Sequence, residues 1–186
     1  METALESLKK ALALAQRRRN AAPRPPLHYP VSPSPRVAVI GAELAGPAGT
    51  HCLKEWSAED LCRLRPQALA GWWNDLAEVA RLVLAGDLEL PQLQFPVLVF
   101  SRPGSAPLPA RCHELLWDWF RVPTFEQIRS AGAELLAYEC VARCGFHLAP
   151  GLDPANVPLP RTSHPCPCGN PAPLLCAQDF AAAAAG

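Results

Sequence analysis

The stretch from Cys140 to Cys168 constrains this chain more than any other. It reads Cys140-Val-Ala-Arg-Cys144-Gly-Phe-His147, then a proline-rich run, then Cys166-Pro-Cys168-Gly169. Thiolate and imidazole are the ligands a borderline-soft divalent metal prefers, and Cys3His is one of the tetrahedral sets of structural zinc sites. Proline fixes one backbone angle of the Cys166–Gly169 turn and glycine permits its tight return, so two thiolates can aim at one point. Cys140 and His147 flank a turn at Gly145 and can supply the other pair from the arms of a hairpin. The expected site is therefore a closed structural zinc centre of Cys140, His147, Cys166 and Cys168. Cys144 reaches the far side of the same turn and is an alternative to His147. Arg143 is not expected to be a ligand and should point away, because guanidinium has no lone pair to offer. The competing reading is a set of buried free thiols beside a surface histidine.

Length and charge narrow the function classes. The 186 residues suffice for one domain with a real core. Seventeen basic residues balance seventeen acidic ones, which gives no electrostatic case for nucleic acid. No run of eighteen apolar residues suggests a membrane span, and Ala11–Ala15 before Arg17–Arg19 is too short and too charged for a secretory segment. A reducing cytoplasm is the expected setting, where clustered Cys and His hold metal more often than they form disulfides.

Along the chain, Leu5, Leu8, Leu12 and Ala15 space as one stripe of a helix over 1–22. Prolines from Pro23 to Pro35 read as a stiff connector over 23–35, with folded structure starting at Arg36. An α/β domain over 36–178 follows, and a frayed tail over 179–186. Arg36–Gly41 reads as a buried strand and Gly41–Gly49 as a turn. Ser57 with Asp60 resembles a capping box for a short helix through Leu64. Trp72, Leu76, Val79, Ala80 and Val83 form one helical apolar face that stops at Gly86, leaving Trp73 as a rim residue. Phe95–Phe100 is a strand. Leu108–Phe120 is a helix with Cys112, Leu115, Leu116 and Trp119 inward. Val122–Glu126 and Glu134–Glu139 are further strands. Strand, helix and strand make a βαβ crossover, so the expected fold is a small, mostly parallel sheet with flanking helices plus a zinc-stabilised hairpin and loop segment over 140–168.

Several of these runs together resemble a known family. Leu64-Arg-Pro-Gln-Ala-Leu-Ala-Gly71, the Phe95 strand, the Leu108 helix, Phe120–Phe125, Leu135–Cys140 with Gly145-Phe-His147, and Pro165–Gly169 look like the later part of the adenylating domain of phenylacetate-CoA ligase-like enzymes, within the acyl-CoA synthetase and adenylate-forming superfamily. The resemblance implies a structural zinc. It also exposes departures. A Ser/Thr/Gly-rich phosphate loop is missing upstream, the Tyr-Gly-x-Thr-Glu segment expected near Phe125–Ala133 is replaced, Ser163 and His164 stand where a ribose-gripping aspartate would follow, and the last lysine is Lys54. Glu126 and Glu134, the nearby acids, read as solvated strand-end residues. Each lost transition-state donor costs ~10²–10³ in rate, so no catalytic residue is assigned.

The expected function is a non-catalytic, truncated relative that binds a protein partner or a small acyl or aryl ligand. One alternative is part of a split ligase that needs a partner chain. A weaker one is thiol redox sensing through Cys144, Cys52 or Cys62.

Overall fold

The computed structural model describes residues 25–103, 105, 107–152 and 165–175; the expected helix over 1–22 and tail over 179–186 lie outside them. Among the described residues eight strands form one mixed sheet in the order β2-β1-β3-β4-β5-β6-β7-β8. They are β1 Val37–Ile40, β2 Thr50–Leu53, β3 Ala68–Trp72, β4 Val97–Ser101, β5 Thr124–Arg129, β6 Leu135–Glu139, β7 Phe146–Leu148 and β8 Leu174–Leu175. From β2 across to β5 neighbours run parallel, and from β5 to β8 they run antiparallel. The sheet is thus α/β with flanking helices, and it divides at β5 into a crossover half and a hairpin half.

Side-chain alternation in the central strands gives the sheet two apolar faces. Ala38, Ile40, Leu69, Val97 and Val99 face helices α1 (Ala58–Leu64), α2 (Trp73–Ala85) and α3 (Ala110–Phe120), and pack with Leu61, Leu76, Val79, Ala80 and Leu116. Val37, Val39, Ala68, Ala70, Leu98 and Phe100 form the opposite face, under Leu27, Ala42 and Leu44. Helix α1 starts as the sequence predicts: the Ser57 hydroxyl accepts from the Asp60 amide, the Asp60 carboxylate accepts from the Ser57 amide, and Arg65 closes the helix in the left-handed region. Gly86 ends α2 with its amide on the Leu82 and Val83 carbonyls.

Four expectations are corrected. Trp72 ends β3 instead of lying on the helical face, and β2 and β3 are strands the pattern did not announce. Gly71 sits where an added Cβ would meet the Ile40 carbonyl at 3.0 Å, so a small residue lets β3 approach β1. Leu115 is 41% exposed, and the inner face of α3 rests on Leu116 and Phe120. The connector over 23–35 is not free from residue 25 onward, and folded structure begins before Arg36. The Leu27 amide donates to the Ala45 carbonyl at 2.6 Å, the Ala45 amide donates to Pro25, and the Tyr29 hydroxyl donates to Pro96 at 2.7 Å.

Candidate metal centre

Three chain segments meet at the end of the hairpin half. Strand β6 delivers Cys140 at its end, and the Arg143 amide turns back onto the Cys140 carbonyl at 2.9 Å. Gly145, at φ 143°, then leads into β7; a Cβ there would lie 2.5 Å from the Leu175 carbonyl oxygen, so only glycine lets β8 come this close. His147 stands opposite Tyr138 in the β6–β7 register and opposite Leu174 of β8. The third segment is the Cys166–Gly169 turn, closed by the Gly169 amide on the Cys166 carbonyl at 3.0 Å with Gly169 at φ 77°.

This arrangement brings one donor atom each from Cys140, His147, Cys166 and Cys168 within 4.8 Å of one another. The Cys140 and Cys166 sulfurs are 3.5 Å apart, and Cys168 Sγ lies 3.2 Å from His147 Nε2. A tetrahedron with zinc–sulfur bonds of ~2.3 Å has edges of roughly 3.8 Å; both separations lie a few tenths of an ångström below that, and all four donor atoms lie within 4.8 Å of one another. The cluster could hold a metal ion.

The donor chemistry fits one. His147 is fully buried, and its Nδ1 lies 3.1 Å from the Ala172 carbonyl. A carbonyl only accepts, so Nδ1 carries a proton and Nε2 is the nitrogen turned toward the thiols, the orientation a histidine ligand needs. The Asn170 amide donates to Cys168 Sγ at 3.4 Å, and this bond is the main cause that holds the Cys168 thiol below its ordinary pKa. Burial pushes the Cys140 thiol up to about 11. A divalent ion at the centre of the cluster would favour thiolates over thiols.

Around the cluster, Arg143 turns away as expected. It donates to the Thr124 carbonyl at 3.0 Å, and its guanidinium lies 5.2 Å from the Phe125 ring centre. Cys144 is exposed and donates to Ala142, so the structure places His147 in the cluster and Cys144 outside it. Of the other thiols named from the sequence, Cys62 is exposed, while Cys52 is partly buried between the Leu44 amide and carbonyl. The supporting residues Tyr138, Asn170 and Ala172 were not singled out from the sequence. The placement of Asn170 just after the turn was the available signal, since an asparagine side chain readily bonds the backbone two residues on, as Asn170 does with the Ala172 amide.

The reading of Glu126 and Glu134 as solvated holds for exposed Glu134 but not for Glu126, which is 2% exposed. One Glu126 oxygen accepts from the Leu108 amide at 2.9 Å, and the other, buried, has no partner among the described residues. The Glu126 amide donates to the Glu139 carboxylate at 3.1 Å, and burial raises the pKa of both acids. Every residue of β5 is buried, so its carboxylate faces packing and not an open site.

A second feature lies at the C-terminal ends of β3 and β4, where open parallel sheets place ligands. A cleft of about 600 Å³ is lined by Trp72, Asn74, Asp75, Phe100 and Arg102 among others. Trp72 meets Phe100 edge to face at 5.7 Å, and Arg102 lies 4.7 Å over the Trp72 ring. An aromatic wall with a guanidinium is suited to a small anionic molecule with an apolar body.

No model of a protein family matches the sequence, and neither does any curated protein. Among the described residues no helix is long and apolar enough to cross a membrane. Solved structures do match: an open conformation of 2-hydroxyisobutyryl-CoA ligase, in complex with 2-HIB-AMP and CoA, superposes with a TM-score of 0.52 at 13% identity. The match covers 76% of this chain and 44% of the ligase chain, so the chain spans less than half the length of that relative in fold. What the two share is architecture: this chain has the fold of part of an acyl-CoA ligase.

Proposed function

We propose that the chain is a non-catalytic binding module whose hairpin half is stapled by a structural zinc ion. The convergence of Cys140, His147, Cys166 and Cys168, with His147 Nδ1 held on the Ala172 carbonyl and Nε2 turned inward, carries this reading. Four protein donors close a tetrahedral ion, leaving no position for substrate or water, so the metal contributes folding free energy instead of Lewis-acid chemistry. The ligand to expect is a small acyl or aryl carboxylate in the Trp72–Phe100–Arg102 cleft, with a protein partner as the other candidate. The fold points toward adenylate-forming ligases, and the phenylacetate-CoA ligase-like branch rests on the sequence resemblance.

These 186 residues carry no phosphate loop and no lysine after Lys54, so the chain by itself should neither adenylate a carboxylic acid nor hydrolyse ATP. Zinc counted per purified chain, together with ATP–pyrophosphate exchange in the presence of aryl and short acyl acids, tests both halves. One zinc per chain and no exchange are expected; exchange above background would sink the non-catalytic reading.

A second reading is favoured by the 44% coverage of the ligase. Here the chain supplies part of a ligase and a separate polypeptide supplies the phosphate loop and lysine. Exchange that appears only on mixing the two polypeptides would support it.

A further inference from the structure

The metal cluster and the N-terminal described segment are far apart in sequence, yet one chain of contacts joins them. Asn170 donates its backbone amide to Cys168 Sγ and its side-chain Nδ2 to the Tyr138 hydroxyl at 2.6 Å, while its side-chain Oδ1 accepts from the Ala172 amide at 2.9 Å. Tyr138 lies with its ring 5.8 Å from His147 and 3.9 Å from His28. Gln127, the register partner of Tyr138, donates to the His28 carbonyl, and Arg129 donates to the Pro26 carbonyl at 3.1 Å. The Cys166–Asn170 turn itself has little apolar surface to hold it. Cys140, Cys166 and Leu174 make up its small buried cluster.

We propose that occupancy of the metal cluster controls how firmly residues 25–29 dock on the sheet, with Asn170 and Tyr138 as the coupling residues. The inference rests on the reading of the cluster as a metal centre. Thiolates fixed on an ion fix Cys168, and Cys168 fixes the Asn170 amide. Asn170 then aims its side chain at the Tyr138 hydroxyl, which holds the ring under His28. With the ion removed, the turn loses its principal anchor, the Tyr138 hydroxyl loses its donor, and His28 loses a fixed surface to rest on. Pro25, Pro26, Leu27 and His28 also form one wall of a cleft of about 580 Å³ whose other side includes Leu135 and Leu152. The same ion would therefore decide whether that cleft keeps its shape.

Hydrogen exchange on the full chain reads the coupling directly, because the Leu27 and Ala45 amides are bonded across the docked segment. Loss of one hydrogen bond and one ring contact corresponds to roughly a tenfold change in opening. Chelation of the zinc-loaded protein should speed exchange at Leu27 and Ala45 by about that factor, with Val39 and Leu98 unchanged. Asn170→Ala, and Tyr138→Phe as the milder change, should produce the same acceleration while still carrying one zinc per chain. Unchanged Leu27 exchange on removal of a measured zinc would overturn the coupling, as would unchanged exchange in both variants. A chain that takes up no zinc would overturn the metal reading and the coupling with it.

Discussion

The ring of His28 rests on that of Tyr138, centroids 3.9 Å apart and planes tilted by 41°. Burial, and secondarily the Arg129 charge, hold the His28 pKa below its ordinary 6.5. A histidine with a depressed folded pKa contributes stability that is present above the unfolded value and lost as pH falls through the folded one.

Docking of residues 25–29 should therefore weaken as pH drops below 6.5. The groups around His28 are Arg129, Tyr138, Gln127 through its bond to the His28 carbonyl, and Glu134 in the shared cleft. Exchange protection at Leu27, corrected for intrinsic rates, should fall in acid in the native chain and stay flat in His28→Phe. A pH-independent profile in the native chain would assign the contact to packing alone.

Cys166→Ser or chelation should loosen residues 140–152 and 165–175 while β1 and β4, buried on both faces, stay protected. Structural zinc contributes on the order of 10 kcal/mol in small zinc peptides, more than this corner's small apolar cluster supplies. Protons compete for thiolate and imidazole, so chelation should be easier at lower pH. Limited proteolysis with and without chelator checks it, and equal protection in both states would mean the thiols are merely packed.

Glu126→Gln should stabilise the fold at neutral pH by about 1 kcal/mol, since it removes a buried charge and can keep the bond from the Leu108 amide. The sign follows from the raised folded pKa: the penalty is absent below the ordinary carboxyl value of 4.5 and grows as pH rises through the folded one. The gain in melting temperature should shrink toward pH 4, and a destabilised variant at pH 7 would show that the Ser101 side chain and the Leu108 amide together offset the burial of the charge.

Two glycines in the metal-bearing corner should respond differently to alanine. At Gly145 both the positive φ and the Leu175 carbonyl at 2.5 Å oppose a Cβ, while at Gly169 nothing lies within 4 Å and only φ 77° is at issue. Gly169→Ala should cost about 1 kcal/mol, and Gly145→Ala more, on the order of 2–3 kcal/mol, because a backbone must shift as well. Zinc affinity should fall with Gly145→Ala. Equal denaturation midpoints for the two variants would refute the close approach of β8.

Local chemistry was legible in the sequence where one segment carries its own signal. Ser57 and Asp60 announced α1, the Phe95–Phe100 run announced β4, and the cysteine spacing pointed to the four residues that converge. Signals failed where a distant partner decides the outcome. Ala68–Trp72 looks like the approach to a helix until β1 is placed beside it, and Gly71 has meaning only against Ile40. The prolines before Arg36 read as a spacer because the groups that hold them, Gln127 and Arg129, come about a hundred residues later. Glu126 reads as solvated because charge is its only local property, and its burial is set by the packing of α3 and β6 against β5.

The division of the sheet at β5 also fixes an order of events during synthesis. A chain made from its N-terminus forms elements as they emerge, and β1 to β5 can assemble through their crossovers before Cys166 and Cys168 exist. Residues 25–29 emerge early, but Gln127, Arg129 and Tyr138, which receive them, come later, and Asn170 later still. The Pro25 carbonyl can be met early by the Ala45 amide, whereas the Pro26 and His28 carbonyls must stay in water until β5 brings Arg129 and Gln127. Residues 25–29 thus gain their contacts in stages, first from Ala45 and Pro96, then from β5, and last from Tyr138, which Asn170 holds beside the four donors that could take a metal ion.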